Sequence, residues 1–88
     1  MNEYTKNLII KNIERNTENV LYYMAQAAKA MQAGESPVRW LAGATEYGAD
    51  LKVDYAKADD LEIYDTLDFK QIYADALEKA RAEVEKDD

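Results

Sequence analysis

Residues 3–33, EYTKNLIIKNIERNTENVLYYMAQAAKAMQA, carry the only sustained heptad in the chain and decide its fold. With Thr17 at an a position, Ile10, Thr17, Met24 and Met31 repeat at a and Ile13, Val20 and Ala27 at d, with Ile9, Leu21, Tyr23, Ala28 and Ala30 beside them. The spacing predicts one long helix whose apolar stripe is wider than a bare zipper seam. Its polar face holds Lys11, Asn12, Arg15, Glu18, Asn19, Gln26, Lys29 and Gln32, while Leu8 and Tyr22 break that face with apolar bulk. A kink near Asn16-Thr17 is the alternative to a continuous helix, because Arg15-Asn16-Thr17-Glu18-Asn19 favours caps and turns.

The stretch ends sharply. Gly34 suits a left-handed helix end, Ser36 an N-cap and Pro37 a first helical turn, so a second helix over 37–57 folds back on the first as an antiparallel hairpin. That second helix has a large stripe (Trp40, Leu41, Ala44, Tyr47, Leu51, Tyr55), a small stripe (Val38, Ala42, Thr45, Ala49, Val53, Ala56) and a polar one (Arg39, Glu46, Asp50, Asp54, Lys57). Two apolar stripes exceed what one neighbour covers, which predicts that this helix lies between two partners. Residues 58–65 read as an acidic loop whose Leu61 and Ile63 plug the end of the bundle. A third helix, over 66–85, follows Asp65 and Thr66 and shows Phe69, Ile72, Tyr73, Ala76, Leu77, Ala80 and Val84 on one face. The expectation is a single all-α domain, a helical hairpin with a third helix in a three-helix bundle.

A helix over 4–33 would run about 45 Å and one over 37–57 about 32 Å, so Leu8, Ile9, Ile10 and Ile13 overhang. Together with the two-sided second helix this predicts a homodimer or higher oligomer, with Ile9, Ile10, Ile13, Ala42, Ala49 and Ala56 at the interface. An 88-residue chain without cysteine has no disulfide to supplement a small core, which makes self-association useful.

Charge is unevenly placed. Through Ala33, four bases oppose three acids; from Gly34 onward, seven bases oppose fifteen acids, giving the net charge of −7. Acidity on that scale argues against direct nucleic-acid binding and favours a partner with a basic surface. Absence of histidine and cysteine removes the common proton shuttle, soft metal ligands and cysteine or Ser-His nucleophiles. The glycine-rich phosphate loops are missing, and Asp59, Asp60, Glu62, Asp65 and Asp68 lack calcium-loop spacing. No catalytic residue, cofactor or metal is therefore expected. No apolar run reaches the length of a membrane span, and residues 1–11 lack a secretory pattern, which makes a cytoplasmic location the expectation.

Two constellations bear on function. Glu46, Asp50 and Asp54 recur every four residues and continue into Asp59, Asp60 and Glu62, an acidic face that either solubilises the chain, as acidic helix faces commonly do, or imitates a nucleic-acid backbone in a basic groove. Lys11, Arg15, Tyr22 and Lys29 form a cation-aromatic face suited to an anionic ligand such as a nucleotide, or to subunit contact. The leading expectation is a non-enzymatic interaction protein that binds and inhibits or regulates a macromolecule. The alternatives are an oligomeric small-anion binder and a structural subunit of a larger assembly. In size, acidity and lack of catalytic residues the chain is similar to small phage-encoded inhibitors of host or defence enzymes, anti-CRISPR proteins among them.

Overall fold

A computed structural model describes residues 3–86. Three helices, α1 (Glu3–Gln32), α2 (Val38–Asp60) and α3 (Phe69–Lys86), are joined by a tight turn and by a connection containing a 3-10 turn at Tyr64–Thr66. The fold is an all-α three-helix bundle with α1 as its spine: α2 and α3 both pack along α1, and their backbones do not approach each other. The molecule is consequently elongated, 49 × 21 × 18 Å.

Helix α1 runs unbroken through Asn16 and Thr17. Two side chains there satisfy the polarity that argued for a kink: Thr17 Oγ1 donates to the Ile13 carbonyl at 2.7 Å, and Asn16 Nδ2 donates across to Asp54 Oδ2 at 2.6 Å. The end of α1 is a Schellman cap, with Gly34 at φ 76° and Glu35 N–H donating to the Ala30 carbonyl at 2.8 Å. Ser36 Oγ then accepts from Val38 N–H, and α2 starts one residue beyond the expected position and continues three residues further, to Asp60. Helix α3 begins at Phe69 rather than 66, because Asp68 Oδ1, not Thr66, caps it by accepting from Gln71 N–H at 3.0 Å.

The seam used on α1 differs from the expected a/d pairing. Ile9, Ile13, Ala27 and Ala30 are buried, whereas Met24 and Met31 are 54% and 62% exposed. The wide stripe thus holds two neighbouring seams. The one through Ile9, Ile13, Asn16, Val20, Tyr23, Ala27 and Ala30 meets the rest of the bundle, and the one through Thr17, Leu21, Met24, Ala28 and Met31 lies at its edge. Gln26, placed on the polar face by sequence, is buried and donates to the Tyr22 hydroxyl at 3.1 Å.

The overhang of α1 is covered within the chain in part, and Leu8 stays 46% exposed. Ile9 and Ile13 form the core with Ala58 and Ile63, and Leu51, Tyr55, Leu61, Leu67 and Ile72 pack around it. This corrects the assignment of Ile9 and Ile13 to an oligomer interface; Ile10, half-buried, stays near the surface. At the opposite end, Tyr23 of α1 stacks on Tyr47 with centroids 5.6 Å apart and leans on Trp40. Gly43 admits that ring: a β-carbon there would lie 2.7 Å from Tyr23 Cδ1, while one at Gly48 would meet nothing within 4 Å. Gly48→Ala should therefore raise stability by about 0.5–1 kcal/mol through helix propensity. Gly43→Ala should lower it by about 1 kcal/mol, because a clash of about 1–3 kcal/mol outweighs the same gain. Thermal melts of the two variants should move in opposite directions, and an equal rise in both would mean that the Tyr23 ring is free to swing away.

Candidate functional site

Helix α2 carries the acidic face, but not as an unbroken ladder. Glu46 and Asp50 are exposed, as are Asp59, Asp60 and Glu62. Asp54 is 7% exposed and turned inward onto Asn16, so it belongs to the α1–α2 contact and not to a partner-binding surface. Among the described residues, none of the five exposed acids is held in an ion pair; the recorded pair is Glu83 with Lys86 on α3.

The acids cluster most densely where α2 ends. From Ala58 to Phe69 there are five acids and no base. The backbone turns there through a second Schellman cap, with Ile63 N–H donating to the Ala58 carbonyl at 3.0 Å. The residue in the left-handed position is Glu62, at φ 59°, where glycine would be unstrained. The cap's apolar contact is Ile63 with Ala58, both buried, and this holds the acidic corner at a fixed place on the bundle.

Three rings stand in that corner: Tyr55, Tyr64 and Phe69, with centroids 5.1–6.0 Å apart and planes inclined by 47–62°. Tyr64 and Phe69 are each about two-fifths exposed. Partial burial and the neighbouring Tyr64 raise the Tyr55 phenol above its ordinary value, against the opposing effect of its hydrogen bond with Thr17. Sequence reading placed Tyr55 and Phe69 on the apolar faces of two different helices. The signal that groups them is their place among Asp59, Asp60, Glu62, Asp65 and Asp68.

The cation-aromatic face does not converge. Lys11 and Arg15 line a groove between α1 and α3 with Lys79, but Glu14 and Glu18 line it too. Tyr22 lines a separate depression beside Glu18 and Glu83, and it packs edge-on against Tyr23. Lys29 lies beside Glu35 and Trp40 in a third. Arg15 and Lys29 are fourteen positions apart on one helix, about 21 Å, beyond the span of a single nucleotide phosphate group.

Of the residues expected at an oligomer interface, Ala42, Ala49 and Ala56 all lie exposed on the side of α2 opposite α1, in a row with Val38, Thr45 and Val53. Within one chain α2 has a helix neighbour on one side only. Among the described residues no group of three or more carboxylates is arranged to hold a metal ion, and no helix is long and apolar enough to cross a membrane. Compared with protein families, curated proteins and solved structures, the chain matches none.

Proposed function

We propose that this chain is a non-enzymatic, self-associating interaction protein that binds a macromolecular partner through the acidic corner at the end of α2, and so inhibits or regulates it. The observation that carries this reading is the combination at one corner of acids with no ion pair among the described residues, exposed Tyr64 and Phe69, and Glu62 in a left-handed conformation. Backbone strain of this kind costs about 1 kcal/mol or more and persists where surrounding structure enforces it. A glutamate in a glycine position adds a carboxylate to a surface that already repels its own charges, a combination that a partner with arginine and lysine would relieve. Aromatic faces amid carboxylates favour cations in the same way. Nucleic-acid mimicry is the specific form: Glu46 and Asp50 along the helix and Asp59, Asp60 and Glu62 at its end would occupy a groove that otherwise holds phosphates.

The test uses this chain as bait in a lysate of its native host, with the variant Glu46→Lys, Asp50→Lys, Asp59→Lys, Asp60→Lys as control. A partner held by the wild type and released by the variant, at unchanged helix content and more weakly with rising salt, is the expected result. A partner retained equally by both would remove the acidic reading. The nucleotide-binding alternative gains nothing from the scattered cations; a rise in melting temperature with a nucleotide would favour it.

Glu62→Gly separates strain from binding. It should stabilise the chain by about 1 kcal/mol, measured by urea unfolding, and weaken partner capture. A loss of stability would mean that Glu62 contributes to the cap through its side chain.

A further inference from the structure

The outward side of α2 is largely apolar, interrupted by Lys52. Val38 is 69% exposed, Leu41 45% and Val53 52%, and Ala42, Thr45, Ala49 and Ala56 are exposed between them. Among the described residues no helix packs there, since the backbone of α3 runs along α1 and not along α2. Met24 and Met31, on the second seam of α1, are exposed as well. An exposed strip of this kind marks an interaction surface, and its occupant is indicated by charge.

The face changes charge from end to end: Arg39 is exposed at its start, and at its end Asp59 and Asp60 outnumber Lys57. We infer that the occupant is a second copy of this chain, packed antiparallel, α2 against α2, about a twofold axis at Ala49. In that register Ala42 faces Ala56 of the second copy, Thr45 faces Val53, and Arg39 comes opposite Asp59 and Asp60 at both ends. Parallel pairing would set Asp59 and Asp60 beside their own copies, and repulsion excludes it. Alanines seven residues apart let the two helices approach at the short end of the usual 8–10 Å range, so backbone and β-carbon contacts replace long side chains. The pairing also accounts for the second apolar stripe of α2, which one protomer leaves in water, and it leaves Glu62, Asp65 and Asp68 of the two acidic corners exposed at opposite ends of the dimer, available to a partner with two basic sites.

This inference rests on the self-association in the proposed function and not on the identity of the partner. Sedimentation of the full chain from about 1 to 200 μM should show a species of twice 10.0 kDa. Ala49→Glu places two carboxylates face to face on the twofold axis and should weaken association at least about 100-fold, with helix content unchanged because the position is exposed and glutamate suits a helix. Arg39→Glu should weaken it about 10-fold, and adding Asp59→Lys with Asp60→Lys should restore it. A wild type with the mass of one chain across the range overturns self-association altogether. A dimer that Ala49→Glu leaves intact, or that the charge exchange does not restore, overturns the seating on α2 alone.

Discussion

Asp54→Lys should lower the stability of the chain by about 3–5 kcal/mol, while Glu46→Lys with Asp50→Lys should unfold within about 1 kcal/mol of the wild type. All three positions are acidic and four residues apart, yet only Asp54 faces α1, 7% exposed, with Asn16 Nδ2 donating to it at 2.6 Å. A lysine there must bury an ammonium against a donor amide or push the helices apart. Either course costs about 3–5 kcal/mol, a large share of the roughly 4–13 kcal/mol available to a chain of this size. Urea titration followed by helix ellipticity and Trp40 fluorescence would measure it. The complementary variant, Asn16→Leu with Asp54→Leu, should regain most of that stability, since paired polar groups replaced by packed apolar ones are often neutral. If Asp54→Lys unfolds with the same midpoint as the wild type, Asp54 faces water and the carboxylate ladder is complete after all. The same reasoning keeps Asp54 out of any charge-reversal test of binding, where lost fold would pass for lost recognition.

How far this arrangement was legible follows from helix geometry. Each step of four residues advances about 40° around a helix, so a row of three acids drifts about 80° and crosses from solvent to interface. Spacing therefore identified Glu46 and Asp50 as surface groups and misplaced Asp54. The three helices, the turn at Gly34 to Pro37 and the burial of Ile63 were legible because each depends on local pattern: heptad, cap chemistry and apolar alternation. Choosing between the two seams of α1 was not. Ile9 and Ile10, or Tyr23 and Met24, are adjacent in sequence and equally apolar, and the choice is made by where α2 and α3 both find room. Gln26 is buried for the same reason. The close approach at Gly43 and the left-handed backbone of Glu62 were missed because one reports a ring on another helix and the other a backbone angle.

Ile63→Ala should cost about 2–4 kcal/mol, more than Leu61→Ala two positions earlier, although both are aliphatic residues in the same short connection. Ile63 is 4% exposed and sits in the core beside Ile9, Ile13 and Ala58, whereas Leu61 is half-buried at its edge. Its main chain ties two elements: the N–H donates to Ala58 O at the end of α2, and the carbonyl accepts from both Thr66 N–H at 3.0 Å and Thr66 Oγ1 at 2.6 Å. The side chain thereby fixes where the 3-10 turn leaves the bundle, and with it the start of α3 three residues later. Because α3 packs along α1 and meets α2 chiefly through Phe69 and Tyr55 at its start, loosening that start should weaken it before the hairpin gives way. Hydrogen exchange of Ile63→Ala should show α3 amides losing more protection than those of α1 and α2. Ile63→Val, which removes one methylene, should cost only about 0.5–1.5 kcal/mol and leave that pattern unchanged. Equal loss across all three helices would mean that the bundle opens as one cooperative unit, and that Ile63 contributes volume to the core without separately anchoring α3.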